Sequence, residues 1–388
     1  MLDGTFHISS PILVNDNLTL NGEDNDTVIL LVEGSNCNVI EDLSNTGRAN
    51  VCIQNLRING NGENQSEGMR WGDGHAIFRD GNNAVYRNLY IENCFTGGIR
   101  HNGGNNIKLL YSVISDCPWR GVCLVDSFNG EICRNTFSNC GTDPEQFISL
   151  SIIYGSGHVV EHNLIEGGGH TAQIFLWEVI DSCANYNTAL DGIYMGIIIK
   201  GDNSELVGNV VQRSGENALG LNKYLTGGGR LEDNYVSYVG KPSPRPTTEH
   251  AGICLGTDLA TVKNNTIEFC GNNGIFISGR TGNQIIGNII SNCGQDEEEY
   301  VRPAGIAIQI WTDEMPINQG TVIRDNTCYD DQGVPTQKHG LLLLPGDGYI
   351  DDLVVEDNDF SGVSSTGIKI WNEDRVRNPT IRNNLGVE

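Results

Sequence analysis

One short phrase recurs along almost the whole chain: an Asn, alternating apolar residues, a Cys or Gly, a bend, then a Gly and a second alternating run, as in "NNTIEFCGNNGIFISG" at 264–279. The interval is short. Cys94, Cys117 and Cys140 are 23 residues apart, as are Cys270 and Cys293. The first half returns as "YRNLYIENC" (86–94), "CRNTFSNC" (133–140), "VGNVVQRSG" (207–215), "EDNYVSYVG" (232–240) and "IGNIISNCG" (286–294). The second half returns as "RGVCLVD" (120–126), "MGIIIKGD" (195–202) and "HGLLLLPG" (339–346). Alternation of period two bounded by Gly and Asn spells strands, and no helical period outlasts a turn. A unit this short cannot bury its own apolar face, so it must stack on copies of itself. The period therefore predicts an all-β parallel solenoid of about 13 coils, ~4.8 Å per coil, as one domain over 1–388. The repeated Asn is expected to bond the backbone at the bend and the Asn of the next coil.

A formal charge of −25, from 24 Lys and Arg against 49 Asp and Glu, repels nucleic acid and anionic membrane. No apolar run approaches the ~18 residues of a membrane span, and "MLDGTFHISSPILV" lacks both a basic and a continuous apolar leader region. Leu2 already reads as mid-fold, so a fragment of a longer extracellular or cell-surface chain is expected, its targeting segment outside this sequence. Neither end carries an evident cap, and bare sheet edges template association. Flanking domains or self-association, a homotrimer among the forms, are expected. The twelve cysteines include stacks whose spacing permits disulfides, but reduced thiols filling the interior are the expectation. Without a CxxC pair no metal site is expected.

"GTFHISSPILVNDNLTLNGEDNDTVI", "NLRINGNG" and the Asn and Gly-Ile phrases together resemble the right-handed parallel β-helix family of pectate lyases and polysaccharide hydrolases. The resemblance implies that fold over the whole chain. Its members include uronate lyases, glycoside hydrolases, epimerases, fructotransferases and phage tailspikes, so the resemblance leaves the activity open. The acidic, cysteine-containing chain is also similar to the disaggregatases of methanogenic archaea, which implies a uronic-acid-containing heteropolysaccharide as substrate.

Extra residues enter each time between the Asn half and the Gly half, at 59–73, 141–147, 240–250, 294–303 and 330–338. Stacked in register they would line up as a wall beside the Gly-half sheet and make a groove. Alternate residues of that sheet point outward. One outward column runs Asn102, Val125, Trp177, Lys200, Asn222, Gly256, Ser278, Gln309, Leu344 and Trp371. Asp202, Tyr224, Asp258, Arg280 and Trp311 lie two residues further on. Trp177, Glu178, Lys200, Asp202, Asn222, Lys223, Tyr224, Asp258 and Arg280 therefore share a patch, unless its charges simply neutralise one another on a solvated sheet.

The leading expectation is a glycoside hydrolase. Coil spacings of ~4.8 and ~9.6 Å bracket the carboxylate separations of about 5–5.5 Å for retention and 6.5–9.5 Å for inversion. Asp202 with Glu178 is one candidate pair and Asp202 with Asp258 the other, with Lys200 or Arg280 keeping the base ionised. Trp177, Tyr224 and Trp311 would stack on sugars, and Asn222, Lys223, Arg280 and Gln309 would complete the substrate site. No cofactor is needed. The alternative is β-elimination on a uronate polymer, with Lys200 or Lys223 as base, Arg280 as carboxylate clamp and Ca²⁺ held by Asp202 and Asp258. "GTDPEQF" resembles the Asp-Pro-His-Glu motif of alginate epimerases, but the missing His argues against that activity. His158, His162 and His170 fit no zinc spacing. A non-catalytic carbohydrate-binding rod is the third reading.

Overall fold

The computed structural model describes residues 2–42, 49–66, 73–144, 147–240, 250–296, 302–310 and 317–387. They form two compact units, Met1–Gly192 and Ile193–Glu388. In both, a coil lays down two short strands and one longer one, and each pairs in parallel with its counterpart in the next coil. In the first unit, Lys108–Leu110, Val113–Ser115 and Arg120–Phe128 are followed by Glu131–Cys133, Thr136–Ser138 and Ile148–Ser156. The register sets Leu109 beside Ile132, Ile114 beside Phe137 and Val122 beside Leu150. In the second unit, Ser204–Val207, Val210–Gln212 and Leu219–Asn222 are followed by Gly229–Glu232, Tyr235–Val239 and Ile253–Gly256. Leu206 lies beside Leu231, Val211 beside Val236 and Leu221 beside Leu255. Among the described residues the only helical turns are Gly62–Asn64 and Glu373–Arg375.

Like residues stack on like inside each unit. Ile77, Ile99, Val122, Leu150 and Ile174 form one inward column, and Ile253, Ile275, Ile306 and Leu341 another, all buried. Each such side chain contributes about 1.5–3 kcal/mol by leaving water. The Gly that opens the long strand has a steric reason. A Cβ on Gly98 would lie 2.5 Å from the Gly121 carbonyl, and one on Gly274 would lie 2.7 Å from that of Gly305.

The recurring Asn forms buried ladders. Asn234 donates through Nδ2 to the Leu206 carbonyl at 2.8 Å and to Asn265 Oδ1 at 2.8 Å, and Asn265 repeats this with Leu231 and Asn288. Asn135, Asn163 and Asn187 do the same in the first unit. The side-chain amide thus takes over the backbone hydrogen bonding that the bend interrupts. All twelve cysteines are free thiols. Hydrogen bonding to Cys140 and Cys94, with burial, holds the Cys117 thiol well above its ordinary range.

The first unit also buries a polar cluster. Arg79 Nε donates to Asp42 Oδ1 at 2.8 Å with the guanidinium wholly enclosed. Tyr86 Oη lies 2.8 Å from His101 Nδ1, and His101 Nε2 lies 2.8 Å from the Gly81 carbonyl. These partners fit a neutral imidazole that donates from Nε2 and accepts at Nδ1. Burial lowers His101 to about 4 and raises Tyr86 to about 12.

Candidate functional site

The register reproduces the outward columns. Lys200 lies beside Asn222 and Asn222 beside Gly256; Ser278, Gln309 and Leu344 follow one another. In the first unit the column is Asp80, Asn102, Val125, Ile153 and Trp177. Ile153 was passed over because its strand, Ile148–Ser156, has no opening Gly. The face is not wet throughout, as a groove floor was expected to be. In the second unit Phe276, Ala307 and Leu342 occupy the neighbouring outward column and are buried in an apolar cluster with Ala251, Ala304 and Leu344.

The expected site residues fall in both units. Trp177 and Glu178 belong to the first: Trp177 is half-buried, edge-on to Phe175 with ring centroids 5.2 Å apart, and Glu178 is left-handed with φ 56°. In the second unit, Lys200 and Gln309 are half-buried on the outward face, and the Asn222 amide folds over Gly256, where a Cβ would come within 2.2 Å of its oxygen. Trp311 lies outside the described residues, as do 67–72, 145–146, 241–249 and 297–301 of the expected groove wall.

Asp202 is committed to the backbone. Its carboxylate accepts N–H groups from Tyr224 at 3.2 Å, Leu225 at 2.9 Å and Gly227 at 2.7 Å, so Tyr224 meets it through its amide. Burial works to raise this carboxyl, but the N–H donors outweigh it and leave it below the ordinary carboxylate range. A carboxylate ringed by N–H donors is neither a proton donor nor a Ca²⁺ ligand, because its lone pairs are already directed at hydrogens. The arrangement runs against both roles expected of Asp202 and makes it the anchor of the 224–227 turn.

Asp258, two coils on, pairs with Lys223 Nζ at 3.0 Å and accepts Thr281 N–H at 2.9 Å. Burial acts to raise it; Thr281, Lys223 and the nearby Arg280 prevail and leave it lowered. An ionised Asp258 suits a base, not an acid. Lys223 Nζ is directed at Asp258. Both carboxyls of the Asp202–Asp258 pair are held below the ordinary range, so neither is prepared as the proton donor that hydrolysis needs.

A second constellation in this unit escaped the sequence reading. His250 Nδ1 is hydrogen-bonded to Asp296 Oδ2, both side chains largely buried. Their chain neighbours line a cleft of about 310 Å³, formed by Arg213, Tyr238, Val239, Phe269 and Gln295, while His250 and Asp296 themselves lie behind that lining and His250 Nε2 is enclosed. Gln295 precedes Asp296, and Val239 precedes Gly240, where a Cβ would lie 3.1 Å from that of His250. The Tyr238 and Phe269 rings are parallel, at 2°, with centroids 4.9 Å apart. The signal was present in the phrases themselves. Where "IENC", "FSNC" and "ISNC" carry Asn before the Cys, "VQRSG", "VSYVG" and "IEFCG" carry Arg, Tyr and Phe.

Residues 195–385 match the family model described as a right handed beta helix region. The fold is the right-handed parallel β-helix. No curated protein matches the chain in sequence. Among solved structures this β-helix is similar to the catalytic unit of the thermostable GH87 alpha-1,3-glucanase from Streptomyces thermodiastaticus, at 13% identity and TM-score 0.58, over 97% of this chain and 63% of that one. It is also similar to a periplasmic alginate epimerase, at 14% identity and TM-score 0.56, over 98% and 78% of the two chains. A third neighbour is the pre-mature gene product 12 of bacteriophage phi29, at 11% identity and TM-score 0.53, over 95% and 51%. Identities this low speak to the β-helix fold alone.

Proposed function

We propose that this chain is a polysaccharide-processing enzyme that cleaves uronate-bearing polymers by β-elimination, with His250 as the base. The observation that carries the reading is the His250–Asp296 hydrogen bond beside a cleft that also presents Arg213. His250 Nε2 is enclosed behind the lining of the cleft, so the proton transfer requires the cleft to open onto it. Nε2 then removes the proton from the carbon bearing the sugar carboxylate, while Asp296 orients the imidazole and stabilises the imidazolium that forms. Arg213 offsets the charge that spreads onto that carboxylate. The electron pair forms a carbon–carbon double bond as the bond to the neighbouring sugar's oxygen breaks, and that oxygen takes up the proton from the imidazolium. Asp202, Asp258 and Lys223 then shape the outward face and take no part in the proton transfer. The names of two β-helix neighbours, an alpha-1,3-glucanase and an alginate epimerase, support a polysaccharide substrate, and such a polymer places the enzyme outside the cell or at its surface.

Glycoside hydrolysis is the second reading, favoured by one carboxyl in the first unit. Asp80, on the outward face beside Asn102, is raised by burial, as a proton donor requires. The two readings differ in their product. On alginate and polygalacturonate, elimination yields a conjugated enoate, seen as new ultraviolet absorbance rising in step with reducing ends. His250→Ala should lower that rate by about 10²-fold or more. Reducing ends without absorbance, abolished by Asp80→Asn, would replace this reading with hydrolysis.

A further inference from the structure

We propose that Tyr238 and Phe269 are a sugar platform, an apolar wall against which one pyranose ring of the polymer lies in the Arg213 cleft. This deepens the functional reading above and rests on its premise that the chain binds polysaccharide.

At this corner most coils adopt a left-handed conformation: Asn93, Asp116, Asn139 and Asp191 hold it in the first unit and Asn292 in the second, with φ between 49° and 56°. Asn and Asp tolerate this region, because a short polar side chain bonds locally. Arg213, Tyr238 and Phe269 adopt it too, at φ 57°, 57° and 54°. For bulky side chains that conformation is strained, and strain of this kind concentrates where function holds it in place. Three consecutive coils bear it, and all three line the cleft, with Gln295 added from the next.

The side chains do not recover the cost by burial. Tyr238 is 51% exposed and Arg213 is exposed as well, so the ring pair faces solvent along its edge. Two parallel rings a coil apart give an apolar strip beside an Arg and the amide of Gln295. Rings for the C–H face of a sugar and a few polar groups for its hydroxyls or carboxylate match the usual make-up of a small ligand site, whose volumes start at about 300 Å³.

The test uses the double variant Tyr238→Asn, Phe269→Asn, which restores the residue that Asn292 shows to fit the corner. Affinity is measured calorimetrically with an alginate tetrasaccharide and a cello-tetrasaccharide, alongside the thermal midpoint. The platform predicts at least a tenfold loss of affinity for the alginate tetrasaccharide with a midpoint held or raised. Loss of cello-tetrasaccharide binding instead would keep the platform and overturn the uronate reading. A wild type that binds neither sugar, unchanged affinity in the variant, or a midpoint that falls while binding survives, would overturn the platform.

Discussion

Two columns of left-handed residues run through the second unit, and they are filled by different rules. The turn between the two short strands carries Gly208, Asp233, Asn264, Gly287, Asp325 and Asp357, the residue types that the conformation favours. The corner before the long strand carries Arg213, Tyr238 and Phe269. In the first unit the pattern reverses. There the corner is Asn93, Asp116, Asn139, Gly167 and Asp191, while the turn begins with Asn55 and Asn88 and then holds Tyr111, Arg134, His162 and Tyr186, the last two stacked with centroids 5.3 Å apart. The coil imposes the backbone in all four columns, so the departures in side chain are not demanded by the fold. They mark where something other than stability set the residue, at a cost of about 1 kcal/mol each.

This contrast can be broken or sharpened by substitution, and the largest effect belongs to the buried ladder that both units share. Asn265→Ala strands the Leu231 carbonyl and removes the acceptor of the Asn234 backbone N–H and of its Nδ2, while Asn288 Oδ1 keeps the backbone N–H of residue 265, a loss on the order of 3–5 kcal/mol by chemical denaturation. A loss below about 1 kcal/mol would mean that the ladder is decorative. Next comes acid, which should strike the first unit through His101. Its folded value near 4 lies below the 6.5 of an ordinary histidine, so the unfolded chain binds the proton first. The stability it contributes is complete above about pH 6.5 and is lost as pH falls toward 4, roughly 3 kcal/mol in all. Burial lowers His158 to about 4 as well, with the same sign. His101→Gln should flatten that part of the stability–pH curve; an unchanged slope would assign it elsewhere.

The column rule itself is tested by a smaller pair. Asn264→Tyr should cost about 1 kcal/mol, and Phe269→Asn should return up to about that much, less the lost ring contact. Equal and opposite shifts in thermal midpoint fit the rule, whereas destabilisation by both would make the Phe269 stack structural. Smallest of all, Tyr186→Asn in the first unit should change stability by a few tenths to about 1 kcal/mol in the stabilising direction.

What periodicity could show was the fold and little of the chemistry. The 23-residue interval from Cys94 to Cys117 to Cys140, the Asn ladder and the Gly before most of the long strands are consequences of coils stacking at one spacing, so they recur along the chain. Outward columns followed from alternation, and Lys200, Asn222 and Gly256 fell in register as counted. The roles of Asp202 and Asp258 did not follow, because they depend on which backbone N–H groups the next turn turns toward them. His250 and Asp296 were beyond reach for a related reason. They lie 46 residues apart, in segments where the repeat is interrupted, and only the fold brings them into contact. The corner residues Tyr238 and Phe269 were legible as exceptions to the Asn rule, once the rule had a backbone conformation behind it.

The most direct test of where the substrate goes is a crystal structure of the His250→Ala variant soaked with an alginate tetrasaccharide. The account predicts a sugar ring against Tyr238 and Phe269 with its carboxylate at Arg213. A saccharide lying instead along Lys200, Asn222 and Lys223 on the outward face, with the Arg213 cleft empty, would contradict it.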